Sequence, residues 1–206
     1  KKRDPTEIPR WSDFISNIKD VLSQGQRREM AIAAFSFVGM QSVYTNFTIT
    51  YLYEDLGFSL EEAGEILGFA TLLAIPARIL WGWVGSTIFQ PRVLLAFLAL
   101  VMAVSTALMG AFDDQWGHVA VLIVNCAISL SVLSWHGVLL SEAARLAPAG
   151  EAGRLTGGVL AFGALGQIIF PMIFAAGYWL SGYGLAFTVI SLPAAMVGVI
   201  FLLWRR

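Results

Sequence analysis

Ser134-Trp-His-Gly-Val-Leu-Leu-Ser-Glu-Ala-Ala-Arg-Leu146, the polar connector Ala147-Pro-Ala-Gly-Glu-Ala-Gly-Arg154, and Leu155-Thr-Gly-Gly-Val-Leu-Ala-Phe-Gly-Ala-Leu-Gly-Gln-Ile-Ile-Phe-Pro171 form the stretch that decides the fold. Two long apolar segments meet there at a short charged loop. The first closes on Glu142 and Arg145, and the second carries Gly163, Gly166 and Pro171.

Working outward, the same texture fills the chain. Of 206 residues, 57% are hydrophobic and only 13% charged, and mean hydropathy is +0.72. Soluble domains carry about a quarter charged residues, so an all-α membrane protein is expected. The net charge of −1 speaks against nucleic acid as a partner. Cys126 stands alone in an apolar run, forms no intrachain disulfide and reads as a small buried residue. The polar start, Lys1-Lys2-Arg3-Asp4-Pro5, leads into no early apolar core, so no signal peptide is read.

Residues 1–28 read as a cytoplasmic lead. Within it Trp11, Phe14, Ile15, Ile18, Val21 and Leu22 recur at helical spacing opposite Ser12, Asp13, Lys19 and Asp20. That pattern predicts a short amphipathic helix on the membrane surface, or a linker helix against soluble surface.

Residues 29–206 read as a bundle of six spans: Met30–Tyr53, Gly64–Phe89, Val93–Phe112, His118–Ser141, Leu155–Leu180 and Tyr183–Trp204. Each reaches the roughly 20 residues that cross a bilayer core. Each must be helical, because no water satisfies the backbone there. Basic residues fix the orientation. Lys1, Lys2, Arg3, Arg10, Lys19, Arg27, Arg28, Arg92, Arg145, Arg154, Arg205 and Arg206 fall on one side; Glu54, Asp55, Glu61, Glu62, Asp113 and Asp114 fall on the other. Both termini are therefore expected in the cytoplasm, with a bacterial inner membrane as the location.

A faint repeat runs through the bundle. Gly68, Pro76 and Gly82 in the second span match Gly163, Pro171 and Gly177 in the fifth at a constant offset of 95, which also pairs Gln41 with His136. The second span runs inward and the fifth outward, as in an inverted three-plus-three repeat.

Polar groups inside spans are costly and mark candidate sites. Gln41, Tyr44, Thr45 and Thr48 share one face of the first span, and Asn46 points elsewhere. Asn125, Ser129 and His136 form a stripe on the fourth, with Trp135 beside it, and Gln167 sits in the fifth. These faces either line an aqueous cavity and bind a solute or simply pack between helices. Arg78 is the sole basic residue inside a span. It lies about 12 Å of helix rise from Ser86, so its head either snorkels to the cytoplasmic interface or sits in a cavity. Glu142, Arg145 and Arg92 lie at one level and predict a cytoplasmic charge cluster.

Enzyme readings find no residues. No Gly-x-Ser-Gly nucleophile segment occurs, and the two histidines, His118 and His136, differ in depth by about 27 Å of rise, which excludes a haem pair. No metal site, phosphate loop or cofactor is expected.

The segment Gly82-Trp-Val-Gly-Ser-Thr-Ile-Phe-Gln-Pro-Arg-Val-Leu-Leu95 is similar to a signature of the major facilitator superfamily, Gly-x-Leu-Ala-Asp-Arg-x-Gly-Arg-Arg-x-x-Leu, between the second and third helices of a half. Gly82 and the closing Leu match; Ser86 replaces the Asp, and the basic cluster shrinks to Arg92. The Ser134–Pro171 stretch resembles that family's loop between fourth and fifth helices, where an acid and a base precede a Gly-x-x-Gly…Pro run. The weakened signature resembles the C-terminal half, and residues 1–28 resemble the central loop, so the resemblance spans the chain as the last six of twelve helices. It implies half of a secondary active or facilitative transporter that moves a small organic solute by alternating access. It also implies a cavity lined by the first and fourth spans: Gln41, Tyr44 and Thr45 with Asn125, Trp135 and His136, and Gln167 and Arg78 as further candidates. A second six-helix bundle, an N-terminal half or a second copy, completes such a transporter. A six-helix binding or regulatory protein without transport is the alternative.

Overall fold

The structure is a computed structural model and describes residues 11–113 and 115–203. The expected basic residues Lys1, Lys2, Arg3, Arg10, Arg205 and Arg206, and Asp114, lie outside them. Helices account for nearly all of it. They are α1 (Trp11–Ser23), α2 (Gly25–Glu54), α3 (Leu60–Thr87), α4 (Pro91–Met109), α5 (His118–Val132), α6 (His136–Arg145) and α7 (Ala152–Leu203). Among the described residues, Leu60–Thr87, Pro91–Met109, His118–Arg145 and Ala152–Leu203 are long and apolar enough to cross a membrane. The protein is an all-α membrane protein. α2 is long as well, but Gln41, Thr45 and Asn46 in its middle reduce its apolarity.

Local chemistry sets the ends. A capping box opens α3: the Ser59 hydroxyl accepts from the Glu62 amide at 3.2 Å, and the Glu62 carboxylate accepts from the Ser59 amide at 2.8 Å. Pro91 starts α4, where its missing N–H costs nothing. α7 is too long for one crossing: 52 residues rise about 78 Å against a core of about 30 Å. It turns back at Ser181–Gly182, where Gly182 takes φ 76°, a conformation that disfavours any side chain. The hairpin is visible in its contacts. Tyr183, at the turn, reaches Glu54 at the far end of α2. Both distal ends of α7 lie by the opposite rim, through Arg154 on Asn17 and Phe201 on Arg92.

The six apolar stretches thus form six rods: α2, α3, α4, the α5–α6 pair, and the two arms of α7. α2 packs on the first arm, α4 on the second, and α3 on α5. Small residues let backbones meet, as in membrane bundles generally. Gly39 accommodates the Phe170 ring, Gly163 the Val38 side chain and Gly166 the Phe35 carbonyl, while Gly110 and Gly184 face each other across α4 and the second arm. An aromatic cluster of Tyr51, Phe112, Phe174, Tyr183 and Phe187 fills the end near the turn, and the Tyr51 hydroxyl donates to the Met109 carbonyl at 2.9 Å.

α1 packs across α2 and α7. Val21 is fully buried against Gly158, and Ile15 and Leu22 remain exposed. Charges staple the helix down. Arg27 pairs with Asp20 at 3.0 Å and donates to the Leu146 carbonyl at 3.3 Å, and Asn17 donates to the Arg154 carbonyl at 2.8 Å.

Candidate functional site: the break between α5 and α6

The fourth rod is not continuous. α5 stops at Val132 and α6 starts at His136. A break in hydrocarbon leaves backbone carbonyls without helical partners, which must be satisfied from elsewhere. Two side chains of α3, three residues apart and so on one face, reach across to do this. Arg78 donates its Nε–H to the Leu133 carbonyl at 2.8 Å, and Trp81 donates its indole N–H to the Leu130 carbonyl at 2.8 Å. The Ser134 hydroxyl also donates to the Leu130 carbonyl.

Arg78 therefore turns across the bundle to the break. Arg78 and Thr71, among mostly apolar residues such as Ile49, Leu67, Leu72 and Leu133, line an open groove of about 610 Å³ between α2, α3 and the end of α5. Among the described residues no carboxylate forms an ion pair with it. His136 lies within electrostatic reach of Arg78 and beside the same Leu133 carbonyl. The Trp135 ring stacks on His136 at 3.8 Å between centroids and meets Phe37 of α2 edge-on at 5.5 Å.

The expected cavity residues divide into two sets. Tyr44, Asn125 and Trp135 are buried in the seam between α2 and α5–α6, with Thr48 and Ser129. The Tyr44 hydroxyl donates to the Asn125 carbonyl at 3.3 Å, and the Asn125 amide donates back to the Val121 carbonyl at 2.9 Å. Thr45, Arg78 and Gln167 lie on the open surface, and Gln41 and His136 are half-buried between the two sets. Several buried polar atoms on this seam have no hydrogen-bond partner among the described residues: Gln41 Oε1, Asn125 Oδ1, Ser129 Oγ, Trp135 Nε1 and His136 Nδ1. A helical stripe is wide enough that one edge packs on a neighbour while the other stays open, so one polar stripe serves both.

The charges expected to form one cluster resolve into two pairs. Arg145 grips Glu142 through two hydrogen bonds of 2.8 and 2.6 Å. Arg92 pairs instead with Glu29 of α2, donates to the Phe201 carbonyl at 3.2 Å and lies 4.9 Å over the Phe201 ring. Glu29 was missed in the sequence, and so was Trp81. Glu29 is 63 residues from Arg92 and carries no local signal. The spacing of Trp81 from Arg78 was the available signal, and it points to a shared face without naming what that face meets.

No protein-family model matches the chain. It is similar to the "Probable nitrate/nitrite transporter NarK2" of Mycobacterium tuberculosis, in strains CDC 1551 / Oshkosh and ATCC 25618 / H37Rv, with 35% identity over 138 residues, or 66% of this chain and 33% of the relative. The matched region thus spans a third of the length of those relatives. The chain is an integral membrane protein with transmembrane helices, and its similarity is to a transporter.

Proposed function

We propose that this chain is the C-terminal six-helix half of a major facilitator superfamily transporter that moves nitrate or nitrite by alternating access. The observation that carries the reading is Arg78, bonded at the break in the fourth rod and lining an open groove without a carboxylate partner among the described residues. An unpaired charge at that depth is costly, and a resident anion offsets the cost. Nitrate and nitrite are planar and present paired oxygens, which suits the planar donor fork of arginine. The cation in the groove and the relative's name together favour a small inorganic anion over the organic solute of the sequence-based expectation. Thr45, Gln167, Gln41 and His136 are proposed to touch the solute on the strength of their polarity and at least partial exposure, with Tyr44, Asn125 and Trp135 behind them inside the bundle.

Two further features support six spans in an inverted repeat. α2 packs on the first arm of α7 as α5 packs on α3, which is the exchange such a repeat would produce. Both members of the Pro76 and Pro171 pair lie inside helices. Both termini are proposed to be cytoplasmic. Cysteine at exposed Ser59, in a background lacking Cys126, will then react with an impermeant thiol reagent applied outside intact cells. Labelling from the inside alone would overturn the orientation. Residues 1–28 are proposed to form the cytoplasmic lead, with Ile15 and Leu22 of α1 meeting the lipid interface.

The open face also argues for a second bundle. Thr45 satisfies its own hydroxyl on the Gln41 carbonyl at 2.9 Å, but the Gln167 side chain finds no partner among the described residues. Polar groups left to hydrocarbon cost several kcal/mol. The face is proposed to meet an N-terminal six-helix half or a second copy of this chain. Cysteine at Thr45 will form cross-links to that bundle in native membranes, and a chain that stays uncross-linked would argue against the arrangement. The direct test of transport is nitrate uptake into proteoliposomes holding the assembled bundles. Anion-independent background flux would favour the binding or regulatory alternative.

A further inference from the structure

We propose that Trp81 is a positioning residue for the anion site: its indole N–H, bonded to the Leu130 carbonyl, fixes the break between α5 and α6 and thereby the Leu133 carbonyl that holds Arg78. The inference goes beyond the transport reading and rests on it only for what Arg78 does.

The carbonyls near the end of α5 need donors that the helix no longer supplies. Leu133 N–H still returns to the Ser129 carbonyl at 3.1 Å, so the regular ladder runs to that point. The Leu130 and Leu133 carbonyls, one turn apart, each take a side-chain donor from α3, and Leu130 takes the local Ser134 hydroxyl as well. Arg78 and Trp81 are thus two pins on one rod entering two carbonyls of another that lie one turn apart. The Trp81 ring is itself held by an edge-on contact with Phe97 of α4 at 6.2 Å between centroids. The indole thus also touches a third rod, while Arg78, whose Nε–H is taken by Leu133, lines the groove. Removing the Trp81 donor leaves one pin, and a rod joined at a single point can swing about it. α6, which carries His136 and Glu142, would swing with it.

The test reads the angle of the break. Spin labels at Arg28 on α2 and Ser141 on α6, both exposed, are placed in the full chain with Cys126 replaced by serine, in lipid nanodiscs. Pulsed electron resonance then gives the distance distribution. We expect one narrow distance in the parent and a distribution at least about two-fold broader in Trp81→Phe, which keeps a ring and loses only the N–H. Trp81→His returns the narrow distribution, because an imidazole Nε2–H overlays the indole N–H of the five-membered ring. Phe97→Leu, which keeps the indole donor, also stays narrow. An unchanged width in Trp81→Phe overturns the proposal. So does equal broadening in Phe97→Leu, since packing alone would then explain it. None of these measurements needs an anion. A separate titration of the parent with sodium nitrate decides the anion reading, so failure of one leaves the other standing.

Discussion

If the proposed anion site is right, Arg78→Gln will weaken nitrate binding by the assembled bundles severely. A hydrogen bond to a charged group contributes about 1.5–3 kcal/mol, and a forked guanidinium makes two in parallel. Glutamine offers one neutral amide in their place, so a loss of at least about 100-fold in affinity is expected, each factor of ten being about 1.4 kcal/mol. Arg78→Lys separates charge from shape. It keeps the cation but loses both the fork and the Nε–H bond to Leu133, and will bind with intermediate affinity. Titration calorimetry with sodium nitrate checks both variants against the parent. Undiminished binding in Arg78→Gln would remove Arg78 from the site and with it the main support for an anion. The bond to Leu133 is also lost, so the apo protein is measured alongside, by thermal unfolding, to separate folding from recognition.

The rods were legible in the sequence because they depend on few things. A bilayer demands length and apolarity; among the described residues Leu60–Thr87, Pro91–Met109, His118–Arg145 and Ala152–Leu203 meet both, while α2 has the length without the apolarity. The turn between the last two was legible at Ser181-Gly182, since glycine offers a backbone conformation other residues avoid. The break at residues 133–135 was not. No proline marks it, and His118–Ser141 looks unbroken by composition. What stabilises the break is donated from another rod, by Arg78 and Trp81, and long-range partners leave no local pattern. Arg92 shows the same effect: its level in the membrane was readable, but its choice of Glu29 depends on how α2, α4 and α7 come together.

The site was legible as polarity and not as direction. Tyr44 and Thr45 are neighbours on the same polar stretch, yet Tyr44 is buried against α5 and Thr45 is open. One residue of helix turns the side chain by about 100°, so small errors in the facing of a stripe exchange a packing seam for a cavity wall. Arg78 escaped that ambiguity because a lone cation inside a span must find either an interface or a partner. The structure provides a carbonyl for its Nε–H and an open groove that Arg78 lines.

The largest effect on stability is expected at Gly166. A Cβ built there would lie 2.0 Å from the Phe35 carbonyl oxygen and 2.9 Å from its carbon. Those are backbone atoms of α2, so no rotamer change relieves the clash; the rods themselves must separate. α2 and the first arm of α7 also meet at Gly39 with Phe170 and at Gly163 with Val38, so parting them at one point loosens three close approaches together. Overpacking a core with flexible neighbours costs about 1–3 kcal/mol, and a backbone clash belongs at or above the top of that range. Gly166→Ala will lower the thermal unfolding midpoint sharply or prevent folding. Gly157→Ala is the control on the same helix. Its Cβ meets nothing within 4 Å, and replacing an exposed helical glycine gains up to about 1 kcal/mol. The two substitutions add the same methyl group nine residues apart, so helix propensity pushes both upward and only the approach of Phe35 separates them. Thermal unfolding in detergent, followed by size-exclusion chromatography, reads both. Equal midpoints would mean that α2 and α7 do not approach as closely as the Phe35–Gly166 contact requires, and the packing of α2 on the first arm of α7 would have to be redrawn.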